Sequence, residues 1–556
     1  RTISYQGAVL EVMGVPVLYL PYFAHPDPTL ERASGFLTPN IGRNRPLGTF
    51  YEQPYYWAIS PDQDLTASVR VHGNVNPMIG LEYRKRFWSG SLELDTTFTQ
   101  ETVFDTDGNH IGDDRFRYSA FGKGHFRIND YWNWGFGLEH IYDDEYLRRY
   151  DLEGPGERRG PYIGQDTRLI SQLYAIGQNE HSYSSVSLVD FQGLREDDTP
   201  DLLPLILPFA ETDHVFSDPL LHGQLRLQAN TAALRRDDNP STLAFEGSTG
   251  RLSLSATWRK DQVVGPGLVL SPFAEARGDV YSVETSEHHY ETFSRGLGML
   301  GTEVSWPFMR PGQNFDLIVE PVVMAAYATD ADPDPRIVNE DSVAFELDDS
   351  SLFRPNAAPN YDLWEPGGRV SAGVRATARS HTGQSASFIF GRRWREEAAP
   401  EFAPSTNVGA TSSDWVAQGT VDLGHNFGAE ARFRLDDETL DVQRLDLGVR
   451  AAAGRFSVAA RYFNINQTLS PLDPNQELTA QVGVDLARGW RMQFGLTRDL
   501  DSDINLRQDI RAIYEDDCTY LEISYTRSET QRGTIGPDEG IQIRIGLRSL
   551  GVVGGS

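Results

Sequence analysis

The chain has 556 residues, of which 39% are hydrophobic and 11% aromatic, and its net charge is −29. This length exceeds one ordinary core of roughly 100 to 200 residues, so the sequence encodes either several domains or one very large closed sheet. The acidic balance excludes nucleic acid as a partner, because binding phosphate backbones requires a basic surface.

No apolar run reaches the roughly 18 residues that a membrane-spanning helix requires. The protein is therefore either soluble or crosses a membrane as β-strands, whose signal in each segment is much weaker. Lysine occurs only at Lys85, Lys123 and Lys260, so arginine supplies nearly all the positive charge. Arginine suits recognition of phosphorylated lipid, although the usage is also consistent with codon bias.

Residues 1–33 contain two short strand patterns, 5–13 and 16–22, followed by a turn rich in proline and aspartate. We expect this segment to be the end of a separate β-domain and its linker, and residues 34–556 to form the main body. Because the sequence opens inside a strand pattern, we expect it to derive from a longer precursor. The missing signal peptide is then uninformative about location.

From Gly35 onward, apolar and polar residues alternate with period two, and Asp/Gly/Asn/Pro clusters interrupt the pattern. The stretch Ile541-Gln-Ile-Arg-Ile-Gly-Leu547 is the clearest example, and such alternation is typical of a sheet with one apolar and one wet face. A sheet this wide must close on itself to remove its edges. The pattern predicts an all-β fold, a closed antiparallel transmembrane barrel with about 22 to 28 strands.

The acidic inserts 105–114, 143–159, 196–201 and 331–341 are predicted to be extracellular loops of this barrel. A soluble β-propeller would instead show a sequence repeat of roughly 40 to 50 residues. We find no such repeat.

Pro39 and Pro54 interrupt two neighbouring strand patterns near the start of the main body. Proline has no N–H to give to a sheet ladder and is normally confined to strand edges, starts and bulges. Either these prolines weaken the pairing of the two strands, or they lie at strand starts that any barrel tolerates.

Three groups of residues carry a resemblance to a known family. The first, near the start, comprises Gly-Val-Pro-Val-Leu-Tyr-Leu-Pro-Tyr-Phe (14–23), Arg-Ala-Ser-Gly-Phe-Leu-Thr-Pro-Asn (32–40) and Pro-Tyr-Tyr-Trp-Ala-Ile-Ser-Pro (54–61). The second is Val-Glu-Pro-Val (319–322) with the acidic segment after it, and the third is Asp517-Cys518-Thr-Tyr with Gly546-Leu547-Arg548. Together they resemble the lipopolysaccharide-assembly family LptD. The resemblance implies an outer-membrane barrel of about 26 strands in a Gram-negative cell. It also implies a periplasmic N-terminal β-jellyroll, of which residues 1–33 would be a remnant.

The resemblance further implies a function and partners. Lipopolysaccharide (LPS) would arrive from an LptA-like periplasmic bridge through the N-terminal domain, and an LptE-like lipoprotein would plug the lumen. The lipid would leave sideways through a lateral gate between the first and last strands. The gate residues carried over are Gly35, Phe36, Pro39, Pro54, Ile541, Ile543, Ile545 and Leu547.

Two further sites follow from the resemblance. Cys518 matches the place where family members carry cysteines that pair with the N-terminal domain; without such a partner it would be a free or buried thiol. The segment from about 331 to 366 matches a loop that folds into the barrel and contacts the plug. Its candidate residues are Asp341, Asp348, Asp349 and Phe353, although the same acidic segment would also suit a solvated extracellular loop.

We predict no enzyme activity, no metal site and no cofactor. His140, Ser171 and the pair His181-Ser182 lack a G-x-S-x-G elbow. The adjacent pair His288-His289 lacks metal-ligand spacing, although the acidic loops could bind divalent cations loosely. The alternative function is a passive porin-like or substrate-gated channel, whose solute would cross through the lumen instead of the wall.

Overall fold

The computed structural model describes residues 2–12, 15–26, 33–152, 156–165, 167–195, 198–238, 245–285, 289–331, 334, 336–342, 345–466, 469, 475–487, 489–517, 519–531 and 534–547. Two strands, β1 (Thr2–Val12) and β2 (Val15–Pro26), form a separate two-stranded antiparallel sheet. Its strands are longer than the sequence pattern predicted. The assignment of residues 1–33 to a jellyroll stays an expectation.

All other strands belong to one closed sheet. The first half consists of β3 (Gly35–Phe36), β4 (Asn40–Asn44), β5 (Gly48–Ser60), β6 (Gln63–His72), β7 (Met78–Phe87), β8 (Gly90–Phe104), β9 (His110–Arg127), β10 (Trp132–Ile141), β11 (Arg168–Gln178), β12 (Ser182–Gly193), β13 (Leu205–Leu220), β14 (Gly223–Arg235), β15 (Phe245–Arg259), β16 (Gln262–Val264) and β17 (Leu268–Thr285).

The second half consists of β18 (Tyr290–Ser305), β19 (Phe308–Arg310), β20 (Phe315–Ala328), β21 (Gly367–Ser380), β22 (Ser385–Arg395), β23 (Trp415–Asp422), β24 (Phe427–Leu435), β25 (Val442–Ala453), β26 (Phe456–Ile465), β27 (Gln476–Asp485), β28 (Trp490–Asp499), β29 (Ile504–Glu515), β30 (Thr519–Ser528) and β31 (Asp538–Leu547).

Three strands of the wall are interrupted: β3 with β4, β15 with β16, and β18 with β19, each pair of segments facing one common neighbour. The wall is therefore an antiparallel barrel of 26 strands, closed by pairing of β31 with β4. Every connection links adjacent strands, and closure leaves no sheet edge unprotected. The predicted all-β closed barrel is confirmed.

The two ends of the barrel differ. Turns of two or three residues, such as 61–62, 88–89 and 454–455, join the strands at one end, which we call the tight-turn end. The long connections lie at the opposite end, the loop end. The start of β3 and the end of β31 both lie at the tight-turn end, because the strands run alternately up and down.

Helix is scarce. The described residues include one short α-helix, α1 (Tyr146–Arg149), and 3₁₀ turns at Pro200–Leu202, Pro404–Thr406 and Gly424–Asn426. In the described part of the chain, no helix is both long enough and apolar enough to cross a membrane.

The faces of the wall alternate in polarity. In β15, Leu252 and Leu254 are 45% and 55% exposed, whereas Arg251, Ser253 and Ser255 are buried. Successive side chains of a strand point to opposite faces, so the leucines face outward and the polar residues face the lumen. An apolar exterior around a polar interior is the arrangement of a barrel that lies in lipid.

Two long connections turn into the lumen. We call residues 142–167, between β10 and β11, the first lumen loop, and residues 329–366, between β20 and β21, the second lumen loop. In the first, Arg159 pairs with the inward-facing Glu139 of β10 at 3.0 Å. In the second, Leu352, Phe353 and Trp364 pack on inward-facing apolar residues of β17, β18 and β20. Both loops therefore fill part of the interior.

One loop boundary differs from the prediction. The second half of the insert 105–114 is strand, because β9 already begins at His110 and pairs with β8 as far as Phe104. Only 105–109 form a turn, which Asp105 holds by accepting the backbone N–H groups of Asp107 and Asn109, both at 2.9 Å. The ladder between β8 and β9 thus extends further than composition alone suggested.

Candidate functional site

The junction of β4 with β31, which we call the seam, has the fewest residue pairs of any junction between neighbouring strands in this part of the wall. On one side β31 pairs with β30 through ten residue pairs, from Thr519↔Leu547 to Ser528↔Asp538. On the other side it pairs with β4 through five, from Gly540↔Asn44 to Arg544↔Asn40. The segment β3 pairs only with β5. The last residues of β31, Ile545 to Leu547, therefore have no partner in the first strand.

Pro39 lies where the seam ends. The carbonyl of Pro54 accepts the N–H of Leu37 at 3.0 Å, so the backbone groups of Pro54 face the first strand. Along an antiparallel strand, the backbone N–H and C=O groups of successive residues point alternately to the neighbouring strand on one side and on the other. Glu52 and its partner Asn40 therefore face each other, whereas Ile41 and Pro39 face β31. Pro39 removes the N–H that would pair next with Ile545, and the ladder stops there.

Pro54 weakens a different junction. It lies in β5, pairs with Ser68 of β6, and its missing N–H faces the first strand and not the seam. The side chain of Gln53 replaces part of the lost pairing, because its Nε2 donates to the carbonyls of Leu37 at 2.8 Å and Pro54 at 3.0 Å. Between Phe36 and Asn40, where the backbone ladder to β5 is interrupted, the side chain of Gln53 thus helps to hold the first strand of the barrel.

The remaining residues carried over from the resemblance line the same junction. Gly35 and Phe36 pair with Tyr56 and Tyr55 of β5, and the Phe36 ring lies 5.1 Å from that of Tyr55. Ile541 is 52% exposed on the outer face, and Ile543 pairs with Ile41. Ile545 packs with Leu521 of β30. The strand β31 is therefore anchored to β30 and only lightly to β4; Leu547 is its last residue.

A buried carboxylate anchors the second lumen loop. Glu365 is fully buried and contacts the inward-facing Arg393 at 2.8 Å and Arg395 at 2.7 Å, with Arg369 at 3.7 Å. Arg393 also donates to the carbonyls of Leu352 at 2.9 Å and Arg354 at 2.6 Å. Burial alone would raise the pKa of the Glu365 carboxyl, but the three guanidinium groups outweigh burial and hold that pKa below its usual value.

A second anchor involves Asp341, one of the predicted inward-loop residues. Asp341 contacts the inward-facing Arg251 of β15 at 2.6 Å, and the same guanidinium contacts Asp362. Burial and the negative charge of Asp341 raise the pKa of Asp362 to about 6, against the opposing effect of Arg251. Burial also acts to raise the pKa of Asp341, but Arg251 outweighs it and the pKa of Asp341 is lowered.

The other predicted residues of this loop have different roles. Asp348 closes a turn, because its Oδ1 accepts the N–H groups of Ser350 at 2.9 Å and Ser351 at 3.0 Å. Asp349 lies 3.7 Å from Arg432. Phe353 is 7% exposed, packs in the apolar cluster, and lies beneath the guanidinium of Arg375 at 4.6 Å. All four residues thus belong to one loop packed on the inner wall.

The remaining candidates are not gathered into a site. Cys518 lies outside the described residues, as does His288. His140 stacks on Tyr118, and the hydroxyl of Ser171 donates to the carbonyl of Glu139 at 3.0 Å. His181 and Ser182 are held in a tight turn by the side chain of Asn179.

One acidic group could bring three ligand oxygens within 4.8 Å, namely Asp414, Asp436 and Asp437. Two of its members already contact arginines, Asp414 with Arg434 at 2.7 Å and Asp437 with Arg392 at 2.8 Å. The group therefore acts as a salt-bridged closure of the loop end.

Sequence reasoning missed the arginines that hold the loops. Arg393 and Arg395 occupy every second position of β22, as residues on one face of a strand must. That spacing was a usable signal. Their acidic partners lie in distant segments, and no short-range pattern could have identified them.

Two family models match the chain over most of its length. The model described as LPS transport system D matches residues 115–496, and the model described as LptD protein matches residues 3–120. The chain belongs to the LptD family.

Curated relatives agree with this membership. The chain is 24% identical over 582 residues to the LPS-assembly protein LptD of Pseudoalteromonas atlantica, covering 98% of this chain and 70% of the relative. It is 25% identical to the LptD of Acidovorax, covering 85% and 58%. It is also 25% identical to the LptD of Escherichia coli K12, covering 66% and 46%. The chain thus spans about half to two thirds of these relatives' own lengths.

Among solved structures, the FrpB iron transporter of Neisseria meningitidis matches 92% of this chain and 81% of its own, at 8% identity and a TM-score of 0.33. A likeness this low has no bearing on function. LptD membership and the apolar outer wall place the protein in the outer membrane of a Gram-negative cell, in a family of LPS transport and assembly proteins and not of enzymes.

Proposed function

We propose that this barrel inserts lipopolysaccharide into the outer leaflet of the outer membrane through a lateral gate at the seam. The observation that carries the proposal is the difference between the two sides of β31, with ten residue pairs to β30 and five to β4. An unpaired backbone group in a lipid-facing wall costs several kcal/mol, so a barrel with one short ladder parts there first.

The chemistry of Pro39 supports the same site. Because this residue faces β31 without an N–H, the seam cannot extend towards the tight-turn end unless the backbone shifts. The outward-facing side chains of β31 along the seam are apolar, including Ile541 and Ile543, whereas β4 places both Ile41 and Arg43 on that face. The inward-facing ones are polar, including Asn40 and Arg544. A parted seam would therefore offer acyl chains an apolar side and a sugar headgroup a polar side.

The same proposal includes the two partners that the family resemblance implies. Polar inward-facing residues such as Gln481, Asp509 and Gln542 line the wall from β26 to β31. On this side, the described contacts of the lumen loops are those of α1 with the connection 529–537 at the loop end. An LptE-like lipoprotein would occupy this side of the lumen. An LptA-like bridge would deliver LPS through the N-terminal domain, which leads into β3.

A passive channel remains the alternative function. The packed lumen loops weigh against it, because a solute pathway needs an open aqueous lumen.

A disulfide across the seam tests the proposal. Ile41 and Ile543 are directly paired, and paired residues of antiparallel strands are close enough for a disulfide. We expect oxidised Ile41→Cys/Ile543→Cys protein to stop delivering LPS to the cell surface and to resume delivery on reduction. Surface LPS is measured with an impermeant label.

The chain offers a matched control, because Ile543 also pairs with Ile523 of β30, on the side away from the seam. Oxidised Ile523→Cys/Ile543→Cys protein should deliver LPS normally. Delivery by a fully cross-linked Ile41→Cys/Ile543→Cys protein would refute lateral release at this seam.

A further inference from the structure

The loop end of the seam is closed by side chains in addition to the ladder. The connection between β30 and β31, residues 529–537, contacts α1 of the first lumen loop. Both backbone N–H and hydroxyl of Thr534 donate to the carboxylate of Glu145 at 2.7 Å, and Arg149 donates to that hydroxyl at 2.8 Å. Arg148 also donates to the carbonyl of Thr530. We call these five residues the clasp.

The clasp spans the seam. Thr530 and Thr534 precede β31, whereas α1 follows β10, so the two halves of the clasp belong to opposite sides of the junction. Neighbouring contacts cross in the same way: the N–H of Gly536 donates to Thr106 at 2.5 Å, and the N–H of Arg45 donates to Asp538 at 3.1 Å. These contacts join the two sides of the wall whose backbone ladder consists of the five residue pairs of the seam.

The half of the clasp that belongs to α1 is packed against buried apolar residues. Tyr146 and Tyr150 are fully buried, and the Tyr150 ring lies 5.4 Å from that of Phe104. They belong to an apolar cluster built from the loop ends of the first strands. On the other half, Ile535 is 2% exposed between the clasp residue Thr534 and Gly536. Every hydrogen bond of the clasp has an ionised donor or acceptor, and such bonds are about twice as strong as neutral ones. Three of them meet at Thr534.

The two ends of the seam differ in the described residues. Beyond Arg544, β31 pairs with β30 but not with β4, and Pro39 cannot supply the next N–H. The described seam therefore has a side-chain clasp at its loop end and a ladder that stops short of its tight-turn end.

We infer that the clasp is a second lock on the seam, which keeps the loop end shut while the tight-turn end parts and which must release before a bulky sugar headgroup can leave. The inference rests on the proposed lateral release. It adds an order of events: acyl chains gain access to the membrane first, from the tight-turn end, and the headgroup passes only after Glu145 and Thr534 separate.

Hydrogen exchange of the purified full-length protein tests the lock without any transport assay. Removing the clasp by Glu145→Ala/Thr534→Val should speed amide exchange in 538–544 about tenfold, because the lost bonds involve a charged acceptor. Thr534→Val alone, a milder change, should act in the same direction. Exchange at the parent rate in both variants would overturn the inference.

A matched control uses another threonine at the loop end. The hydroxyl of Thr439 donates to Asp436 at 3.0 Å and Asp441 at 2.9 Å within its own connection and does not cross the seam. Thr439→Val should leave exchange in 538–544 unchanged, and a rise equal to that of the clasp variants would also overturn the inference.

A cleavable cross-link tests the need for release. In cells carrying Arg148→Cys/Thr530→Cys, a short cleavable bis-maleimide should stop surface delivery of LPS, and cleavage should restore it; single-cysteine variants treated alike should deliver normally. Delivery through the cross-linked clasp would refute the lock and leave lateral release intact. If the seam disulfide described above fails to stop delivery, the proposal of lateral release is refuted. The exchange rates still decide whether the clasp keeps the loop end of the seam closed.

Discussion

Pro39 acts on one hydrogen bond, at the position where the seam stops. Extending the alternation of β4 by one residue, from Asn40 facing Glu52 and Ile41 facing β31, turns the backbone of Pro39 to β31. Pro54 faces the first strand and is compensated in part by the amide of Gln53. The two prolines, which the sequence suggested as equivalent, therefore weaken different junctions, and only Pro39 lies on the seam itself.

Replacing Pro39 by alanine should lengthen the seam. The alanine would supply an N–H opposite Ile545, and one added hydrogen bond is worth about 0.5–1.5 kcal/mol net. We expect slower exchange of the Ile545 amide and slower delivery of LPS to the cell surface. Pro54→Ala is the matched control, for which exchange at Ile545 should stay at the parent value. Equal effects of both substitutions would contradict the facing directions assigned to the two prolines.

The second lumen loop is the element on which the interior depends most. Its apolar residues cover the inner faces of β17, β18 and β20, and three of its acidic residues, Asp341, Asp362 and Glu365, contact inward-facing arginines. Such buried pairs hold only if both partners stay, because removing one leaves an uncompensated charge, at a cost of about 3–5 kcal/mol. The loop is thus docked by a few discrete contacts.

Docking of this loop should depend on pH through Asp362. Its pKa, about 6, lies above the value of 3.8 expected for the undocked loop. The docked state therefore binds a proton more readily. This contribution to docking is fully present below pH 3.8 and is lost as pH rises through 6.

Limited proteolysis of the loop measures this effect. We expect cleavage within 345–366 to be slower at pH 5.5 than at pH 7.5, after correction for the protease's own pH dependence on an unfolded substrate. Asp362→Asn should abolish the difference. Faster cleavage at the lower pH would show that the sign is wrong.

At the scale of the whole molecule, the lumen loops make the barrel a poor pore. A wall of 26 strands encloses a wide interior, yet the two loops fill the sides next to β9–β11 and β15–β25. This arrangement favours the proposed lateral release over a passive channel along the axis of the barrel.

Conductance in planar bilayers tests this. The purified barrel should conduct weakly, and replacing residues 337–364 by a short Gly-Ser linker should raise single-channel conductance several-fold. Replacing the connection 500–503, which is not part of either lumen loop, is the control and should leave conductance unchanged. High conductance of the parent would instead favour the channel function.

Alternation along the strands was sufficient to predict the closed all-β wall, because one apolar and one polar face leave few other architectures. The family resemblance pointed to Pro39 and the last strand as gate elements, and their role in a gate stays a prediction. The contents of the lumen could not be predicted in the same way. Arg251 and Asp362 are 111 residues apart, and Arg148 and Thr530 are 382 apart. Such pairs arise from closure of the barrel, which no local pattern records.

The place where the N-terminal sheet joins the barrel has a mechanical consequence. The strand β2 leads, through residues 27–34, into β3, which pairs with β5 through two residue pairs, Gly35↔Tyr56 and Phe36↔Tyr55. If lateral release occurs at the seam as proposed, a tilt of that sheet is transmitted to the first strand at the end where the described ladder with β31 has already stopped. Binding of a partner to the N-terminal sheet would then turn a small rotation into the first separation of the two strands.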